Sequence, residues 1–268
     1  MTSGILFDFD DTLVETTVYF NAAKKYFAAR MKEIGFPPEE SLVTLNHFDI
    51  INVQKCGGFL KHCFPEALGQ TYEFYCRRFG LDCNEKLRKE IEDLGWWVFA
   101  QPVQPVPGAE EVLARLQPQY PLFLATKGDP VLQLGRVKES GLTRWFRHVY
   151  VLDNKIRETY QRIAAEQRLR PPASWVVGNS MKADINPARL AGYNCIYIYH
   201  PHTWDYEEEE PVGGHVSVET LNDMLQVVGI QPEFGTNRRP DGPETLITAC
   251  RLGQPSTVKR VDKKPALP

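Results

Sequence analysis

The stretch Phe7-Asp8-Phe9-Asp10-Asp11-Thr12-Leu13 decides how this chain is read. It continues the apolar run Ile5-Leu6-Phe7 and sets two carboxylates at positions i and i+2, with Thr12 close behind. An apolar strand ending in acids fits an open α/β sheet, where ligands gather beyond the carboxyl ends of the strands. Two carboxylates at one strand end repel each other unless a cation neutralises them, and hard oxygen donors at this density suit Mg²⁺. Asp11 or Thr12 can also cap a following helix. Asp8, between Phe7 and Phe9, has no such structural explanation.

Similar short apolar runs occur at residues 122–125, 149–152, 175–177 and 195–199, each bounded by Gly, Pro or polar residues. Helical patterns fall between them at 109–116, 131–139 and 157–168. Strand alternating with helix predicts a Rossmann-like, doubly wound α/β core with a parallel sheet. Residues 15–105 break the rhythm. Val18, Tyr19, Ala22, Ala23, Tyr26 and Phe27 form an apolar stripe at helix spacing, Phe59, Leu60, Cys63 and Phe64 begin another, and no strand is evident. The sequence therefore predicts a discontinuous core (1–14 and 106–230), an inserted all-α domain (15–105) and a tail (231–268). The Pro-rich stretch 102–107 reads as a stiff hinge. The tail holds six Pro, three Gly and seven basic against four acidic residues, the composition of a solvated or docked segment.

Composition narrows the function classes. Among 268 residues 43% are hydrophobic and 24% charged, which is globular; a net charge of −3 gives no basic field for nucleic acid. No run approaches the roughly 18 apolar residues of a membrane span. Six cysteines are too few for a disulfide scaffold, and the first residues lack a basic leader, so a reduced, cytoplasmic protein is expected. Cys56 and Cys63, like Cys76 and Cys83, stand seven apart. On one helix that is two turns, too far for a shared zinc, and buried thiols on a helix face are the expectation. Trp96 and Trp97 are expected in the core, and 207–210 (four Glu) as a solvated loop. Nothing in the spacing of His47 or His62 requires that either face a cleft.

Asp8-x-Asp10-x-Thr12 resembles the first motif of the haloacid dehalogenase-like hydrolase superfamily, most of whose members are Mg²⁺-dependent phosphatases. Three more motifs follow in order. A strand ends in Thr126-Lys127-Gly128; Lys155 precedes a helix with Tyr160 near its first turn; and Gly178-Asn179-Ser180 leads to Asp184-Ile185. The resemblance spans roughly residues 4–229, and it reads 15–105 as a helical cap between the first two motifs. Asn179 departs from the family pattern, which carries an acid there, so weaker metal binding is expected.

By this resemblance Asp8 is the nucleophile that forms an aspartyl-phosphate, and Asp10 the acid and base. Thr126 and Lys155 are implied to hold phosphoryl oxygens, with Asp11 and Lys127 near the phosphate. Asp8, Asp10, Asn179 and Asp184 are the implied Mg²⁺ set. The acid at Asp10 points to phosphate esters of a small metabolite rather than haloacids. A catalytically impaired binding or regulatory protein, and behind it a phosphomutase or a 2-haloacid dehalogenase, remain as alternatives, with a monomer or homodimer as the expected assembly.

Overall fold

The computed structural model describes residues 2–201 and 204–230; the expected tail lies outside them. Among the described residues, five of six strands coincide with the predicted runs: β1 (Ile5–Phe7), β2 (Leu122–Lys127), β3 (His148–Leu152), β4 (Trp175–Gly178) and β5 (Asn194–Ile198). The sixth, β6 (Val216–Val218), is only three residues long and half exposed, too weak a pattern to read. All pairings are parallel, in the order β3-β2-β1-β4-β5-β6. Four helices follow β1: α1 (Thr17–Ile34), α2 (Pro38–Lys55), α3 (Cys63–Phe79) and α4 (Glu85–Val98). The remaining helices are α5 (Ala109–Leu116), α6 (Pro130–Glu139), α7 (Arg157–Gln167), α8 (Asn186–Leu190) and α9 (Met224–Val227).

Both faces of the sheet are covered, which explains why its strands read as continuous apolar runs. Phe7, Leu124, Val177 and Ile196 pack on one face, and Leu6, Phe123, Val176 and Cys195 on the other. The chain runs outward from β1 to β2 and β3, then returns to β4 on the far side of β1. That reversal opens a crevice at the carboxyl end of β1, and Asp8 sits at its base with its N–H bonded to the Val177 carbonyl at 2.8 Å.

The four helices between β1 and β2 share a core of their own, including Phe27, Met31, Leu45, Leu68, Tyr75 and Ile91. The two connections to the sheet run side by side, joined by hydrogen bonds from Glu15 N–H to the Gln104 carbonyl and from Val106 N–H to the Leu13 carbonyl. Ala23 and Phe27 of the predicted stripe are buried with Met31, whereas Val18 and Tyr26 are exposed. Trp96 and Trp97 correct the sequence reading: they are 40% and 39% exposed. The buried face of α4 is Ile91, Gly95 and Val98, and neighbours at 96 and 97 project away from it. Gly95 is required there, because a Cβ would lie 2.6 Å from the Pro65 Cα of α3.

The cysteine reading is corrected too. Cys63 and Cys76 are buried, but Cys56 and Cys83 are exposed. Cys56 caps the end of α2 and Cys63 opens α3. Gly57, at φ +69°, turns the chain in a conformation that side chains disfavour, so seven residues here span a corner and not two turns of one helix. Phe59 and Leu60 belong to that corner.

Candidate active site

Asp8 leaves β1 buried, 8% exposed. Lys155, one residue before the N-cap of α7, is also buried and donates to Asp8 Oδ1 and, at 2.7 Å, to Asp184 Oδ1. Asp184 Oδ2 accepts the Ser180 N–H at 3.1 Å. Asp184 fits against the end of β4 only because residue 178 is Gly, where a Cβ would fall 2.3 Å from Asp184 Oδ2. With both oxygens so engaged, Asp184 orients Lys155.

Two buried carboxylates therefore share one ammonium. Burial, and then the neighbouring Asp184, push the Asp8 carboxyl up to about 7 although Lys155 pulls the other way. For Lys155 burial favours loss of the proton, but Asp184 and Asp8 outweigh it and hold the ammonium above its ordinary range.

Asp10 has different company. Thr16 Oγ1 donates to its Oδ1 at 2.7 Å, Gln133 Nε2 to its Oδ2 at 2.7 Å, and Arg136 pairs with Oδ1. Burial would raise this carboxyl, but Arg136, Thr16 and Gln133 bring it below the usual range. Gln133 and Arg136 escaped sequence reading; their one signal is i, i+3 spacing on the helix that follows β2. Asp129 starts that helix by accepting the Leu132 N–H at 2.9 Å, with Pro130 in the first turn.

The other predicted residues are placed as follows. Thr12 Oγ1 donates to Asp8 Oδ2 at 3.2 Å. The Asn179 amide, oriented to satisfy its neighbours, donates to Asp8 Oδ2 at 3.2 Å and to the Asp10 carbonyl at 3.1 Å. Asp11, at φ +56°, accepts the N–H groups of Thr16 and Thr17 at 2.9 and 2.8 Å. It holds the start of α1, so the capping alternative is realised, and Asp11 also lines the cavity. Thr126 is fully buried, and its hydroxyl accepts from Gln133 Nε2 at 2.7 Å; it lies behind Gln133, outside the cavity wall. Lys127 pairs with Glu207 Oε1 at 3.0 Å and lies over the Phe59 ring, 4.2 Å from its centre.

Glu207 corrects the solvated-loop expectation. Its other oxygen accepts from Ser180 Oγ at 2.5 Å; burial opposes its charge, but Lys127 and Ser180 keep the carboxyl below its ordinary range. The loop docks because Lys127 and Ser180, both at the carboxyl end of the sheet, offer donors. His47 is exposed and outside the cavity wall, and His62 lies beside Cys56.

These groups floor a cavity of about 1080 Å³ whose walls include Lys24, Asn46, Asp49 and Phe64 from the helical insert. Burial pushes the Asp49 carboxyl up to about 6, with Lys24 opposing. Comparison with known proteins bears on this arrangement. A glyceraldehyde 3-phosphate phosphatase of Pyrococcus abyssi is 25% identical over 254 residues, 89% of this chain and 98% of the relative. A haloacid dehalogenase-like family hydrolase from Xanthomonas campestris has a similar fold (TM-score 0.69, 23% identity, 85% of this chain and 90% of that one). So does the HAD-hydrolase YfnB from Bacillus subtilis, solved with bound magnesium (TM-score 0.58, 19% identity, 85% and 99%). The family model for haloacid dehalogenase-like hydrolases matches residues 5–198, from β1 through β5, and with Asp8, Lys155 and Asp184 gathered at the sheet's switch point, the chain belongs to that family.

Proposed function

We propose that this protein is a Mg²⁺-dependent phosphatase of a small phosphorylated metabolite, working in the cytoplasm through an aspartyl-phosphate on Asp8. The observation that carries the reading is the buried Asp8–Lys155–Asp184 group at the base of a cavity, beside Asp10.

The donor set fits Mg²⁺. Asp8 Oδ2, the Asp10 carbonyl and the Asn179 side chain converge within hydrogen-bond distance, all can present oxygen, and the buried group carries more carboxylates than cations. Asn179 has a neutral oxygen to offer after a simple amide rotation, so binding is weaker than with an acid there. Bound Mg²⁺ would offset the negative charge of an approaching phosphate and lower the Asp8 carboxyl into its ionised form.

The chain's own residues do the remaining work. Asp8 Oδ attacks phosphorus as the ester oxygen leaves. Lys155, held by Asp184, presents a fixed positive charge to the phosphoryl oxygens. Asp10 lies two residues on, where it can give a proton to the leaving oxygen and take one from the hydrolytic water. Arg136 keeps it ionised at rest; a substrate phosphate is a competing partner for that guanidinium, and its arrival lets the Asp10 carboxylate take up from solvent the proton it then gives to the leaving oxygen. Residues 15–105 serve as the cap that shields this chemistry and selects the substrate.

The test is hydrolysis of an aryl phosphate with Mg²⁺, with EDTA, and by Asp8→Asn. Metal-dependent turnover that disappears in the variant is expected. Turnover that survives Asp8→Asn, or no turnover and no Mg²⁺ binding at all, overturns the proposal.

A further inference from the structure

The corner between α2 and α3 holds a group of side chains that the phosphatase reading does not use. Cys56 Sγ lies 3.4 Å from His62 Nε2, and one ligand atom each of Cys56, His62 and Cys63 lies within 4.8 Å of the others. Ligands of a single tetrahedral Zn²⁺, at roughly 2.0–2.3 Å from the ion, stand about 3.4–3.8 Å apart. The Cys56–His62 pair already has that separation, and Cys63 needs to close by about 1 Å or less. We propose that Cys56, His62 and Cys63 form a site for a thiophilic divalent cation, Zn²⁺ by its donor chemistry, with a fourth position open to water.

Two thiolates and an imidazole are a soft-to-borderline donor set, which separates this site from the all-oxygen set around Asp8. Cys56 is exposed, so an ion can enter from solvent. The turn through Gly57 is what converts a spacing unsuited to one helix into a convergent one. The ion's place in the fold also gives it a consequence. It would tie the end of α2 to the start of α3 and close the loop between them. Phe59 of that loop packs edge-on against Trp204, with ring centres 5.8 Å apart, and lies under Lys127. Metal at the corner would thus steady one wall of the substrate cavity.

The test uses full-length protein, reduced and stripped of metal, titrated with Co²⁺ in excess Mg²⁺ so that the oxygen site is occupied. Wild type is expected to develop a thiolate-to-cobalt charge-transfer band and the intense visible bands of a four-coordinate ion at one equivalent, with Zn²⁺ displacing the Co²⁺. Cys56→Ser and His62→Ala, both outside the hydrophobic core, are each expected to weaken binding roughly 100-fold, the share of one ligand in such a site. Cys83→Ser, at the other cysteine pair, should leave the bands unchanged; circular dichroism confirms that each variant is folded. The proposal is overturned by a wild type without the thiolate band, by a Co²⁺ affinity unchanged in Cys56→Ser, or by loss of the bands in Cys83→Ser alone. A Cys56–Cys63 disulfide that forms equally with and without Zn²⁺ overturns it as well.

Discussion

Replacing Asp8 by Asn removes one of two carboxylates that share the Lys155 ammonium, leaving Lys155 and Asp184 as a balanced buried pair. A carboxyl displaced from 3.8 to about 7 corresponds to roughly 4 kcal/mol withheld from its charged form above neutrality. An amide faces the ammonium less favourably than a neutral carboxyl does, which returns about 1–2 kcal/mol. Metal-free Asp8→Asn is therefore expected to be more stable than wild type by about 2 kcal/mol at pH 7.5. At this chain length that is a rise of about 4–8 °C in melting temperature. The sign follows from linkage. The folded wild type keeps the Asp8 proton that the unfolded chain gives up, so its stability falls as pH rises between 3.8 and about 7. The gap between the proteins should accordingly close at about pH 5, where the withheld energy has fallen to what the amide returns, and invert below it. Mg²⁺ narrows the gap and then reverses the order: it adds about 1.4 kcal/mol at ten times its Kd and about 2.7 kcal/mol at one hundred times to a protein that binds it, and Asp8→Asn lacks the charged ligand. The assay is thermal unfolding in EDTA and in Mg²⁺ across this pH range. A variant that melts below wild type in EDTA at pH 7.5, or a gap that does not narrow in acid, would refute the charge imbalance.

Lys155→Met leaves Asp8 and Asp184 facing each other without a cation; a loss of about 3–5 kcal/mol is expected in denaturant unfolding without metal, together with loss of phosphatase turnover. Arg136→Gln removes the main group holding Asp10 low, so the acidic limb of the pH–rate profile should move to higher pH; an unmoved limb excludes Arg136 as the cause. Gly95→Ala drives a Cβ to within 2.6 Å of the Pro65 backbone and is expected to cost about 1–3 kcal/mol in thermal unfolding, with Mg²⁺ affinity unchanged.

How far the sequence carried the reading depends on how local each feature is. Five core strands were legible because a strand buried on both faces shows itself as an apolar run, whatever it pairs with. Asp8, Asp10 and Lys155 were legible because their motifs sit at element ends, where an α/β sheet collects its ligands. The exposed Trp96 and Trp97 were misread because apolar character does not report which side of α4 meets α3; the close approach at Gly95 decides that. The capping role of Asp11 is decided by the fold, where the Thr16 and Thr17 N–H groups converge on it. Gln133, Arg136 and Glu207 reach the site from positions 123, 126 and 197 residues beyond Asp10, and no local pattern announces such contacts. The cysteine spacing gives the sharpest contrast. Seven residues on one helix separate two thiols, whereas seven residues around a turn at Gly57 bring them together. The sequence by itself determined the sheet, its motif order and the carboxylates at the end of β1, since these depend on residue type and period. Only the tertiary structure decided which charges face one another, because pairing across the fold depends on packing.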